Sequence, residues 1–234
     1  MQERRPAIPD PMKRELRQEA YFGCVRCGNP IIDYHHIIPY ANVKKHEKEN
    51  LVVLCPNCHR MANNGMYDKE IVLEDKANPH NKKYRYVESN LILRKYKDLT
   101  LNLGGIDLKN VKIPLQVMKI NLIYFNTDEK GRALLNAVFF DSNMQKIAEI
   151  IDNEWKTYIP DDMWDIQYSP GHLKINLIKN KIFLELKISG NTVTIKTSQF
   201  IFGNEINIKD EIIEINGRVF KGCEVKNSTI GIHI

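Results

Sequence analysis

The chain has 234 residues, 43 % hydrophobic and 27 % charged, with a formal charge of +5, which leaves room for one large domain or two ordinary ones and excludes a disordered or fibrous chain. No run approaches the roughly 18 apolar residues a membrane span needs, and the opening MQERRPAIPDPMKRE lacks the apolar core of a secretory signal, so a cytoplasmic protein with no membrane partner is expected. Residues 1–97 hold 18 Lys/Arg against 12 Asp/Glu, and the remainder 16 against 17; the excess positive charge sits in the N-terminal part, as a phosphate-attracting module joined to a neutral one would have it.

In chain order, a proline-punctuated arm (RRPAIPDP) leads into a predicted helix, KRELRQEAYF, rich in good helix formers. Cys24-Val-Arg-Cys27 and Cys55-Pro-Asn-Cys58 then form two CxxC pairs separated by 27 residues. Two residues between cysteines let a tight turn aim both thiolates at one ion. Two such turns complete a closed tetrahedral site, the structural kind of zinc site. Gly23 and Gly28 flank the first pair, where backbone freedom helps the turn. In a cytosolic chain such pairs read as ligands rather than disulfides.

Between the pairs, IIDYHHIIPY (31–40) reads as an apolar strand carrying His35 and His36. A second apolar strand, LVVL, precedes the second knuckle, and Pro56 opens a helix at a position where proline is tolerated. Neighbouring strand positions face opposite sides, so His35 and His36 serve different roles: one can bind a metal while the other faces a different group. Phosphodiester hydrolysis needs both an activated water and a cation to stabilise charge, and histidine supplies a base that titrates near neutrality. Asn63 lies four residues after His59, hence on its helix face. Asp33 shares a strand face with His35, either to orient that ring or as a surface carboxylate.

Lys44, Lys45 and Arg60 are candidate phosphate contacts. The stretch 75–97 is basic with interleaved tyrosines; Lys82, Lys83 and Arg85 are candidate nucleic-acid contacts there, or the solvated side chains of a connector. His46, His80, His172 and His233 have no partner in the sequence and read as surface residues, and Cys223 as a small buried side chain. From about residue 98 apolar and polar residues alternate, as in LTLNL (99–103), LKINLI (173–178), IFLELKI (182–188) and TVTIKT (192–197), with turn signals between them. The stretch SNMQKIAEIIDNEW (142–155) reads as a helix with Ile147, Ile150 and Ile151 on one side. Trp155 and Trp164 read as core aromatics.

Cys24, Cys27, His35, His36, Pro39, Asn50, Leu51, Cys55, Cys58 and His59 together resemble the HNH endonuclease family, in its four-cysteine, restriction-type branch, over about residues 6–65. With the alternation beyond it, the expected fold class is α+β. A ββα-metal (HNH) domain with a structural Zn²⁺ would occupy residues 1–77 and a basic connector 78–97. A mostly antiparallel β domain with one helix would fill 98–234. The resemblance implies that His36, directly before Ile-Ile-Pro, is the general base. His35 and His59 then hold a divalent ion, Mg²⁺ with Mn²⁺ and Ni²⁺ as alternatives. Asn63 stands where some members carry a further histidine ligand, and as an oxygen ligand it is weaker. Asn50 matches the asparagine that fixes the loop between the strands in support of catalysis.

The implied activity is hydrolysis of DNA phosphodiester bonds to 5′-phosphates, in restriction or antiphage defence. The motif itself does not separate DNA from RNA. The alternatives are a zinc-stabilised nucleic-acid-binding module without cleavage, and a nuclease gated by a ligand-sensing C-terminal domain. A simple double-strand break needs a second active site, which a homodimer would supply. The region 98–234 resembles no named family and is expected to serve specificity or regulation through a ligand or protein partner.

Overall fold

The computed structural model describes residues 5–234, and the chain divides into two compact units, one ending at Val87 and one running Glu88–Ile234. The boundary falls inside the stretch read from the sequence as a connector, and residues 78–87 belong to the first unit.

The first unit is built on α1 (Asp10–Glu19), β1 (Asp33–His36), α2 (Tyr40–Val43), β2 (Leu51–Leu54), α3 (Pro56–Asn63), α4 (Lys69–Ala77) and α5 (His80–Tyr84). Helix α1 admits Pro11 in its first turn, where no intrahelical N–H is owed. It ends where Tyr21 and Phe22 turn left-handed and Phe22 N–H donates back to the Arg17 carbonyl. All four residues of β2 are buried, which is why that strand reads as an unbroken apolar run. It pairs antiparallel with β1, placing His35 opposite Val52 and His36 opposite Leu51. Leu16 of α1, Ala20 just after it, Val25 of the first knuckle and Val72 of α4 close on the same small core.

Because that core is small, polar ties carry part of the work. Asp68 caps α4 by accepting from Ile71 N–H at 2.9 Å. Buried Asn81 of α5 donates to the Tyr21 and Gly28 carbonyls, and His80 N–H to the Val25 carbonyl. Gly23 and Gly28 are required by this close approach: a Cβ on either would stand within 2.4 Å of an Asn81 side-chain atom, and Gly28 also has φ +76°.

Strand β3 (Tyr86–Asn90) runs through the unit boundary. In the second unit the chain then makes β4 (Thr100–Leu103), β5 (Ile106–Val117), β6 (Ile120–Thr127), β7 (Ala133–Phe140), β8 (Lys146–Ile151), β9 (Glu154–Tyr158), β10 (Asp165–Ser169), β11 (His172–Asn176), β12 (Leu184–Ser189), β13 (Thr192–Ile201), β14 (Asn204–Ile208), β15 (Ile213–Ile215), β16 (Arg218–Phe220) and β17 (Glu224–His233). They form one hydrogen-bonded sheet in the order β10-β11-β12-β13-β4-β5-β6-β7-β8-β9, with β14, β15 and β16 branching from β13 and β17 beside β5. The pairings are antiparallel except β13 with β4 and β17 with β5. The sheet folds over on itself: Phe140 N–H of β7 donates to Gln199 Oε1 of β13 at 3.3 Å. Among the described residues no helix is long and apolar enough to cross a membrane.

Three expectations are corrected here. Residues 142–155 are not a helix but most of the β8–β9 hairpin, and the described residues beyond 98 contain no α-helix. The physical reason is a β-bulge. Phe139 pairs with Ala148 and Phe140 with Lys146, so Ile147 is the extra residue. The bulge puts Ile147 and Ile150 inside, three positions apart, and imitates helical spacing, whereas Ile151 is exposed. Asp152 and Asn153, both left-handed, then close the turn that a hairpin favours. Cys223 is exposed on the connection between β16 and β17 rather than buried. Trp155 is buried as expected, but Trp164 is only half-buried.

Candidate functional site

The two knuckles come together at the base of the β1–β2 hairpin. The first closes by Gly28 N–H to the Cys24 carbonyl and is tied to β2 by Val25 N–H to the Val53 carbonyl. The second is the start of α3, where the Cys55 sulfur caps the helix by accepting from Cys58 N–H. The four sulfurs lie within 4.8 Å of one another, with Cys27 3.6 Å from Cys55 and 3.9 Å from Cys58, and none is in a disulfide. A tetrahedral zinc with Zn–S of about 2.3 Å spaces its sulfurs about 3.8 Å apart. The donor set therefore fits a structural zinc in chemistry and spacing. The bond with Cys24 holds the Cys27 thiol down at about 5, while the same bond and burial push Cys24 up. A thiolate is thus favoured within the cluster, the charge state a bound dication takes as ligand.

The cysteine-bearing ends hold β1 against α3, and this sets the histidines. His35 and His59 face each other with ring centroids 5.0 Å apart and planes at 73°. Two imidazoles sharing one ion at about 2.1 Å, with an angle near 90–110° at the metal, place their ring centres about 4.6–5.3 Å apart. The observed centroid spacing falls in that range. Burial, followed by the charge of His59, holds His35 below the usual histidine range, so its ring is neutral, as ligation requires. Asp33 Oδ2 lies 3.2 Å from His59 Nδ1. Its partner is thus the helix histidine, where the sequence had set it beside His35. With Nδ1 facing the carboxylate, His59 Nε2 is left to face a metal. Asn63 is exposed one helical turn beyond His59. The cysteine cluster is the one group of three or more His, Cys, Asp or Glu side chains among the described residues placed to share an ion.

On the other face of β1, His36 is 8 % exposed. Burial, then the charges of Arg5, His46 and His35, hold it down at about 4, so the ring is neutral at ordinary pH. Asn50 pins the chain just after it: its backbone oxygen accepts from Ile37 N–H at 3.0 Å, and its amide takes both ends of Ile38, at 2.7 and 2.9 Å. His46, read from the sequence as a surface residue, stands with its Nδ1 3.1 Å from His36 Nε2. Tyr40 packs on both rings, at 5.5 and 5.0 Å. Arg5 and His46 are the residues sequence reasoning missed. No spacing rule points to them, because the loop 37–50 and the N-terminal arm bring them in.

The candidate phosphate contacts are scattered over the first unit. Lys44 and Lys45 are exposed after α2, with Lys45 paired to Glu47. Arg60 is exposed on α3, and Lys82 and Lys83 on α5. Arg85 ends α5 in the left-handed region with its guanidinium 5.7 Å from the Tyr21 ring centre.

The sequence model of the HNH endonuclease family matches residues 24–65, the span from the first knuckle through α3. The chain is also similar to the type IV methyl-directed restriction enzyme EcoKMcrA of Escherichia coli (strain K12), at 33 % identity over 76 residues. That match covers 28 % of this chain and 27 % of the relative, so the chain spans little more than a quarter of the relative's length. No solved structure matches the chain. With both cysteine pairs, the histidine pair and α3 inside the matched span, the chain carries an HNH endonuclease domain at residues 24–65.

Proposed function

We propose that this protein is a metal-dependent endonuclease that hydrolyses DNA phosphodiester bonds, with β1, β2 and α3 as a ββα-metal site and a role in restriction of invading DNA. The observation that carries the reading is the 5.0 Å approach of His35 and His59, held by a hairpin and a helix that the four-cysteine cluster joins. A divalent cation, Mg²⁺ or alternatively Mn²⁺ or Ni²⁺, supplies there a Lewis acid for the scissile phosphate and the departing 3′-oxygen. His35 and His59 hold it, Asp33 orients His59, and Asn63 lends at most a weak oxygen. His36, neutral at ordinary pH, takes the proton from the attacking water. Asn50 keeps the turn after His36 in place. Lys44, Lys45, Arg60, Lys82, Lys83 and Arg85 contact the DNA backbone.

The second unit serves target choice or regulation, and a homodimer supplies two cuts for a double-strand break. Action on cytoplasmic DNA follows from the restriction reading. The relative's name specifies methyl-directed DNA, but the match spans too little of it for that preference to be carried over.

The test is nicking of supercoiled plasmid, and of a labelled RNA in parallel, by wild type and His36→Ala in metal-free buffer and with each divalent ion. Plasmid nicking that needs the ion and falls by about 10²–10⁴ in the variant is expected. Retained DNA binding with no nicking under any ion would replace this reading with a zinc-stabilised binding module.

A further inference from the structure

Helix α5 has five residues, too few to be stable alone, and its surroundings hold it. Pro79 presets the entry at φ −59°, and His80 N–H donates to the Val25 carbonyl at 2.8 Å. Asn81 Nδ2 donates to the Tyr21 and Gly28 carbonyls, each at 3.2 Å. Arg85 then turns left-handed, φ +60°, with its N–H on the Asn81 carbonyl at 2.8 Å, and leads the chain into β3. This turn puts Tyr86 beside Tyr84 with ring centres 6.0 Å apart, and the His80 ring lies 5.1 Å from Tyr84 on α5. The three rings stand at an open cleft of about 450 Å³ lined by Asn78, Pro79, His80, Lys82, Lys83 and Tyr84. Tyr84 is 44 % exposed despite its two aromatic neighbours, and His80, Lys82 and Lys83 are exposed as well. The Lys83 ammonium stands 5.2 Å from the Tyr84 ring centre. No acidic side chain lines the cleft. Accessible aromatic surface between cations, with no carboxylate, suits a ligand that is both planar and anionic.

We infer that this cleft takes an unpaired nucleotide of the DNA, its base stacked on Tyr84 and its flanking phosphates met by Lys82 and Lys83. The inference rests on the proposed action on DNA and narrows the substrate class to DNA with a single-stranded stretch, such as a tail or a gap. Bases in an intact duplex are already stacked on one another and present only phosphates to such a cleft, whereas an unpaired base presents a face. Lysines alone would meet phosphates of either form. The aromatic row is what discriminates. His80 and Asn81 tie the cleft to the first cysteine knuckle, so a strand seated on it is held by the unit that carries the histidine pair.

The test is fluorescence anisotropy with the full zinc-loaded chain, in buffer free of other divalent ions and of chelator, so that nothing is cut. The probes are a labelled oligothymidylate, the same strand paired with oligodeoxyadenylate, an abasic strand of equal length, and oligouridylate. The abasic strand keeps the phosphates and lacks the bases, which separates stacking from charge. Wild type should hold oligothymidylate about tenfold more tightly than the abasic strand, the effect of one stacked base, and more tightly than the duplex. Tyr84→Ala should erase that margin while changing abasic affinity by no more than about twofold. Tyr84→Phe, which keeps a ring, should retain it. Equal wild-type affinity for oligothymidylate and the abasic strand overturns the inference without recourse to any variant, and so does a full margin in Tyr84→Ala. Tighter binding of oligouridylate than of oligothymidylate assigns the cleft to RNA and overturns the DNA assignment. If the margin is present in a chain that nicks no plasmid under any ion, the cleft stands and the nuclease reading fails; nicking without the margin does the reverse.

Discussion

Asn50 commits both ends of its amide to a single residue, Ile38, while its backbone oxygen takes the N–H of Ile37, and only 8 % of it is exposed. A side chain used this way sets a backbone path rather than chemistry. Asn50→Ala removes two bonds and leaves the Ile38 N–H and carbonyl without these partners, at a cost of about 1–3 kcal/mol. Urea unfolding of the first unit checks the stability loss. The nicking assay should show a larger loss than the stability change explains, since His36 sits on the segment released; full activity in the variant would remove Asn50 from the supporting machinery. The same scale marks the limit of sequence reading. His35, His36 and His59 are visible because their spacing is set by a strand and a helix. Arg5 and His46 are not, because their meeting depends on the course of two irregular segments that no period encodes.

At the level of elements, the first unit joins a small apolar core to two cysteine knuckles. Cys27 supplies one of four sulfurs, and its loss leaves an incomplete donor set around which β1, β2 and α3 must hold together. Cys27→Ser should lower zinc content to below one ion per chain and open residues 24–65 to protease, both measurable by elemental analysis and timed trypsin digestion. An intact, protease-resistant first unit without zinc would show that the apolar core suffices. This cluster was legible because the CxxC spacing is itself the turn geometry. The β8–β9 hairpin was not, because a single bulge at Ile147 rewrites the period of two into one of three.

Asn153 explains why that segment turns. It adopts φ +74°, accepts from Leu135 N–H and donates to the Ala133 carbonyl, each at 2.8 Å. Asn153→Ala should therefore destabilise the second unit by about 2–3 kcal/mol through two lost bonds and a strained backbone. Asn153→Gly loses the bonds but keeps the conformation and should recover about 1 kcal/mol in thermal unfolding.

Over the whole molecule, charge is divided between the units. The first carries the surplus of cations and the second holds its charges in local networks. Glu185, 6 % exposed, accepts from His172 at 2.9 Å, Lys187 at 3.0 Å and Lys196 at 3.3 Å. Burial pushes its carboxyl up, but these three partners outweigh it and hold the group at about 2. An unfolded glutamate titrates near 4.3. The stabilisation is complete above that unfolded value and drains away as pH falls toward the folded one. The melting temperature of the second unit should fall between about pH 4.5 and 2, and Glu185→Gln should flatten that fall while lowering stability at neutral pH. A wild-type acid profile indistinguishable from the variant's would show that the network contributes nothing.

The sheet's two parallel pairings join strands far apart along the chain: Asn110 of β5 and Asn227 of β17 bond at 2.8 Å across 117 residues. The sulfurs of Cys27 and Cys58 meet across only 31. Closing the longer loop forfeits more chain entropy before any contact repays it, and non-local strand pairing is slow for that reason. During synthesis or refolding the half with the four-cysteine cluster can therefore take shape while the strands of the other half still search for neighbours. For that interval, the long inner edge of β5 is open to any other extended segment that reaches it first.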